Sequence, residues 1–177
     1  IYLGPDDISL GKRETTEDIA KVISRYVDVI MARVFGHQIV VDFTKYSRAP
    51  VINGLSDFSH PCQILGDLLT IQEKKFRLGG LKLAYVGDGN NVATSLLYGA
   101  AKVGMHVTVA SPPGYEVKPE TFGEACQDAA STGAQLELTN DPVEAVQQAD
   151  VVYTDVWASM GQESEREERK KLFQNYQ

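Results

Sequence analysis

Cysteine is scarce in these 177 residues: Cys62 and Cys126 stand far apart, in no CxxC or Cys/His spacing. That argues against a disulfide framework and a zinc site, so no metal is expected, and it fits a reducing, cytoplasmic setting. Positive charge is also short, with 17 Lys and Arg against 24 Asp and Glu, a formal net charge of -7 and a pI near 5.0. Affinity for a phosphate backbone comes from clustered cations, so nucleic-acid binding is not the expected business of the chain. No apolar run reaches the roughly 18–20 residues of a membrane span. The opening stretch IYLGPDD lacks the charged-then-apolar pattern of a signal peptide. It also lacks an initiator Met, so a piece of a longer chain is expected. Internal repeats and low-complexity segments are missing too.

What is present is alternation. Short β-branched runs are followed by segments of helical period, the pattern of an α/β protein with parallel strands. Thr15 or Thr16 can cap a helix reaching about Tyr26. Val27–Arg33 reads as a buried strand, His37–Tyr46 as a helix and Val51–Asn53 as a strand. Pro61 suits the first turn of a helix running to about Lys75. The stretch 74–80, KKFRLGG, breaks the pattern and is the expected domain junction. A second series then begins: the strand in LKLAYVGDG, a helix over about Asn91–Val103, the strand HVTVAS, a helix near Pro119–Ser131 and the strand QLELT. Asp141 before Pro142 marks a helix start. DVVYTDV is the last strand, and ESEREERKKLFQNY a last helix, whose i,i+4 pairs Glu165/Arg169 and Glu167/Lys171 read as a solvated face.

Ligands of open parallel sheets bind beyond the carboxyl ends of the strands, so the turns there are the places to look for chemistry. Arg33 ends VIMAR, as a surface cation or as a partly buried guanidinium that wants an anion. In SHPCQ, His60 is a helix cap or a ligand group. With Pro61 at the first helical position, His60 and Gln63 can converge at the positive end of the helix dipole, where imidazole and amide suit a C=O and an NH2. Cys62 between them has no expected role beyond packing. GDGNN resembles a dinucleotide turn, but Gly87 and Gly89 are followed by Val92 instead of a third glycine. The next strand ends in Ala110 and Ser111 without the ribose-binding acid, so NAD is not the expected ligand. Asn90 and Asn91 remain as polar groups at the cleft, or one of them merely caps the helix. In DVWASMG, Asp155 with Ser159 and Met160 can present a carboxylate, a hydroxyl and backbone N–H groups together, a set that fits an amino acid.

These four turns, in this order, resemble the transcarbamylases, and specifically the ornithine carbamoyltransferases. The pieces that carry the likeness are ISRYVDVIMARVFGH, VINGLSDFSHPCQILGDLLTI, YVGDGNNVATSLL and YTDVWASMGQE. The resemblance implies two doubly wound α/β domains with parallel sheets: 1–75 as part of a carbamoyl-phosphate domain and 80–177 as part of an ornithine domain. It further implies an active site between them that subunits of a trimer share. It implies transfer of a carbamoyl group to L-ornithine in arginine metabolism, with no cofactor. Arg33 would contact carbamoyl phosphate, His60 and Gln63 its carbonyl oxygen and amino group, and Asn91, Asp155, Ser159 and Met160 would bind ornithine. The family's Ser-x-x-Thr-Arg loop is expected before Ile1 and its His-Cys-Leu-Pro segment after Gln177. Ser9 stands where relatives often carry Gln or His. Two rival readings are a catalytically silent relative that binds an amino acid and an NAD-binding oxidoreductase.

Overall fold

The computed structural model describes residues 1–10, 14–157 and 165–176. By its internal contacts the chain divides into two compact units, Ile1–Ser59 and His60–Gln177.

The first unit holds α1 (Pro5–Ile8), α2 (Thr16–Ile23), β1 (Ile30–Arg33), α3 (His37–Tyr46) and β2 (Val51–Leu55). Thr15 caps α2, its Oγ1 accepting from the Asp18 N–H at 3.1 Å. β1 and β2 pair in parallel, with an irregularity between Ala32 and Arg33. β1 is shorter than the Val27–Arg33 run expected, because Arg25 and Tyr26 close turns onto Val22 and Ile23 after α2 ends. Nor is it buried throughout. Ile30 and Ala32 are covered, Ile30 packing with Ile19, Ala20 and Phe43, while Met31 and Arg33 point to the exposed side. That period of two is what a strand covered on one face shows.

The second unit opens with α4 (Pro61–Lys75), which starts at Pro61 and stops where Phe76 takes a left-handed cap at φ 62°. Its Ile64, Leu68 and Ile71 pack in one core with Leu83, Tyr85, Leu97 and Val107. By its contacts the helix α4 groups with the second unit. β3 (Lys82–Val86), α5 (Asn91–Val103), β4 (His106–Ala110), α6 (Pro119–Ala129), β5 (Leu136–Thr139), α7 (Pro142–Val146), β6 (Val151–Thr154) and α8 (Arg166–Leu172) complete it. The four strands are parallel in the order β5-β4-β3-β6. The chain therefore steps outward from β3 through β4 to β5 and then returns to the other side of β3. This reversal makes a topological switch point between β3 and β6, the place where an open sheet offers a crevice. No helix among the described residues is long and apolar enough to cross a membrane.

The charged face expected of α8 is corrected by the structure. Arg169 is 5% exposed, and Phe173 and Tyr176, which follow the end of α8, are buried too. Its guanidinium donates to Asp88 Oδ2 at 2.8 Å, to the Trp157 carbonyl at 3.0 Å and to Glu165 Oε2 at 3.0 Å, and lies over the Tyr115 ring. Glu167 pairs with Lys170 at i,i+3.

Gly89 explains itself by close approach. A Cβ there would sit 2.3 Å from the Val117 nitrogen and 2.4 Å from the Glu116 carbonyl carbon, and the Gly89 N–H donates to the Tyr115 carbonyl at 2.8 Å. Its missing side chain thus admits the protein's own backbone, a need that GDGNN has whether or not a nucleotide binds. Gly89→Ala is expected to destabilise the fold by about 1–3 kcal/mol through this overlap. Urea unfolding measures it, and an unchanged midpoint would show that the 115–117 loop gives way freely.

Candidate functional site

The site in the second unit is built at the switch point, from the turns that leave β3 and β6. Asn90 is the N-cap of α5: its Oδ1 accepts from the N–H groups of Val92 at 2.9 Å and Ala93 at 3.1 Å. That leaves its Nδ2 facing the other turn, where it donates to Asp155 Oδ2 at 3.0 Å. One asparagine side chain therefore ends a helix and orients an acid 65 residues away. Asn91 is next, at the first helical position, half-buried. Of the two asparagines, Asn90 is thus the one that caps the helix and ties the Asp155 turn.

Electrostatics at this corner are negative and partly desolvated. Tyr85, fully buried, has its phenol pushed well above the usual range by burial and then by the Asp155 charge, and it donates to Asn90 Oδ1 at 3.4 Å. Asp88, in the β3 turn, is raised by burial, while the Arg169 guanidinium opposes that rise. Arg169 also binds the carbonyl of Trp157, two residues past Asp155, so one guanidinium ties the β3 turn to the β6 turn.

His60 and Gln63 stand where expected, at the start of α4. His60 is the N-cap residue, yet its side chain makes no capping hydrogen bond. Its backbone N–H instead donates to Ser95 Oγ at 2.7 Å, and that hydroxyl donates to the Asn91 carbonyl at 2.8 Å. The α4 N-terminus is thereby fixed to the first turn of α5, beside Asn91. Gln63 lies one turn into α4 with its Nε2 donating to Asp67 Oδ1 at 2.9 Å. Cys62, expected only to pack, is exposed. Arg33 is exposed at the carboxyl end of β1, in the first unit. Ser9 sits in the left-handed region at φ 43°, unusual for a residue with a side chain. Ser159 and Met160 lie outside the described residues.

Three residues that shape the site were not foreseen in that role: Arg169, Asp88 and Asp67. An apolar Phe173 four residues after Arg169 was a signal for the first, since i and i+4 lie on one helix face. Asp67 stands i+4 from Gln63, a spacing at which an amide and a carboxylate meet.

Comparison with known proteins gives the family. The model of the aspartate/ornithine carbamoyltransferase Asp/Orn binding domain matches residues 79–177, and that of the carbamoyl-P binding domain of the same family matches residues 1–73. An ornithine carbamoyltransferase of Thermococcus kodakarensis is 59% identical over the whole chain, and an anabolic one of Pyrococcus furiosus 56%. The chain spans 56% of the length of each. Among solved structures, the Pyrococcus furiosus ornithine carbamoyltransferase superposes on the whole chain with a TM-score of 0.95 at 56% identity, again over 56% of its own length. A mitochondrial one from Coccidioides immitis matches the whole chain and 55% of its own, with a TM-score of 0.89 at 36% identity. With both halves matched by the two domains of one family, and with a tied Asn/Asp pair at the switch point of the half matched by the Asp/Orn binding domain, the chain belongs to the aspartate/ornithine carbamoyltransferases.

Proposed function

We propose that the protein transfers the carbamoyl group of carbamoyl phosphate to the δ-amine of L-ornithine, giving L-citrulline and phosphate. The observation that carries this reading is Asp155 held by Asn90 at the switch point, next to Asn91. A carboxylate there recognises the α-ammonium of an amino acid, and the relatives named above are ornithine carbamoyltransferases. Residues 1–75 then serve the carbamoyl donor and 80–177 the amino acid, within a cytoplasmic homotrimer or multiple of trimers.

In this reading Asp155 and Asn91, with Ser159 and Met160, bind ornithine so that its neutral δ-amine faces the carbonyl carbon of carbamoyl phosphate. Holding the two reactants in place removes much of the entropic cost of their encounter. The amine lone pair forms the C–N bond, and the carbonyl oxygen gains negative charge as the carbon becomes tetrahedral. Arg33 and His60 donate to that oxygen, and Gln63 holds the carbamoyl NH2. The bond from the carbonyl carbon to the bridging oxygen then breaks, phosphate leaves with the electron pair, and it takes up the proton that the amine loses. The phosphate already activates the carbonyl, so the step calls for no cofactor.

Asp155→Asn tests the amino-acid side. An amide in place of the carboxylate loses the charge-assisted bond to the ammonium, and such bonds contribute about 1.5–3 kcal/mol. The KM for ornithine in the full-length protein is expected to rise by roughly 10- to 100-fold, with the KM for carbamoyl phosphate little changed. Unaltered ornithine kinetics would remove Asp155 from the site.

A further inference from the structure

The bond from Gln63 Nε2 to Asp67 Oδ1 has a direction that matters for a ligand. A carboxylate only accepts hydrogen bonds, whereas a primary amide has a donor end and an acceptor end. Asp67 therefore fixes which end of Gln63 is turned toward it: the NH2 is engaged, and Oε1 is left as the acceptor end. Asp67 Oδ2 is buried with no hydrogen-bond partner among the described residues, and the Tyr153 phenol of β6 neighbours both Asp67 and Gln63, pushed up to about 12 by burial first and by the Asp67 carboxylate next. Tyr153 stacks on the buried Tyr85 with ring centroids 5.9 Å apart, so the support of Gln63 is anchored on the two strands that flank the switch point. An i,i+4 Gln/Asp pair on a solvated helix has no such backing.

We propose that Asp67 is a positioning residue for the carbamoyl donor: by engaging the Gln63 NH2 it presents Gln63 Oε1 to the donor's own NH2. This selects a carbamoyl phosphate over an acyl phosphate that has a methyl group there. The inference rests on the reading of Gln63 as a carbamoyl-binding residue. A donor carrying N–H groups completes the Oε1 acceptor, whereas a methyl group leaves it desolvated and unpaired, the kind of mismatch that sites built for hydrogen bonding reject.

The test compares Gln63→Ala, Asp67→Asn, Asp67→Leu and the double variant Gln63→Ala/Asp67→Asn in the full-length protein, reading both KM values, kcat, unfolding temperature and inhibition by acetyl phosphate. Loss of the oriented hydrogen bond is expected to raise the KM for carbamoyl phosphate about three- to tenfold in Asp67→Leu, and by a smaller factor in Asp67→Asn, whose amide oxygen still accepts but no longer forbids the flipped Gln63. The KM for ornithine should stay unchanged, and acetyl phosphate should lose less affinity than carbamoyl phosphate does. Because Asp67 acts through Gln63, adding Asp67→Asn to Gln63→Ala should bring no further rise. If Gln63→Ala raises that KM and Asp67→Leu does not, the positioning role is wrong while the reading of Gln63 stands. If Gln63→Ala itself changes nothing, both fall. Equal losses for both substrates, in step with a lowered unfolding temperature, would make Asp67 merely structural and overturn the proposal.

Discussion

Arg169→Met is expected to destabilise the second unit by about 3–5 kcal/mol, because it leaves the Asp88 carboxylate buried without its partner. The pair is 2.8 Å apart, with side chains only 6% and 9% exposed. A charge in that position has lost its water, and the guanidinium is what replaces it. Removing both partners tests this cause. Asp88→Leu with Arg169→Met exchanges the pair for apolar groups and should recover much of the loss, since burial of the pair brings little net stability over a packed apolar substitute. Urea unfolding of the single and double variants measures the difference. A loss below about 1 kcal/mol for Arg169→Met is the range of a solvated surface pair, and would return α8 to the open face that its charge pattern suggested. Kinetic effects should follow stability, since the same guanidinium holds the Trp157 carbonyl just past Asp155.

His60→Ala in the full-length protein is expected to lower kcat by roughly 100- to 1,000-fold, the usual cost of removing one donor to a developing oxyanion. The fold supplies the reason for expecting a chemical effect over a structural one. The α4 N-terminus is held by the His60 backbone N–H on Ser95 Oγ and by Pro61, while the imidazole makes no capping bond. Alanine keeps the backbone bond to Ser95 Oγ, so a fall in turnover that outruns any change in unfolding temperature marks a chemical effect. The measurement is steady-state citrulline formation at saturating substrates. An unchanged kcat would take His60 out of the chemistry.

Most elements were legible because local signals agreed with the final packing. α4 begins at Pro61 and α5 at Asn91, as proline and asparagine at helix starts foretell, and Asp141 caps α7 as its place before Pro142 implied. The turns after β3 and β6 were legible as sites for the same kind of reason, since polar residues come after apolar runs there. What stayed illegible depends on partners far along the chain. Arg169 meets Asp88 across 81 residues, and nothing in an i,i+4 charge pattern tells a solvated guanidinium from one drawn into an interior. Asn90 and Asn91 look alike in sequence, and only the meeting of β3 and β6 decides which one reaches Asp155. Tyr153 is legible as a strand residue, but its place against Asp67 comes from how α4 packs on the sheet.

Choice of acceptor is the decisive measurement: the full-length protein is given carbamoyl phosphate with either L-ornithine or L-aspartate, and the carbamoylated product and phosphate are followed together. Citrulline and phosphate are expected in equal amounts from ornithine, with no carbamoyl-aspartate from aspartate. Phosphate release without citrulline, or carbamoylation of aspartate in its place, would contradict the proposed transfer.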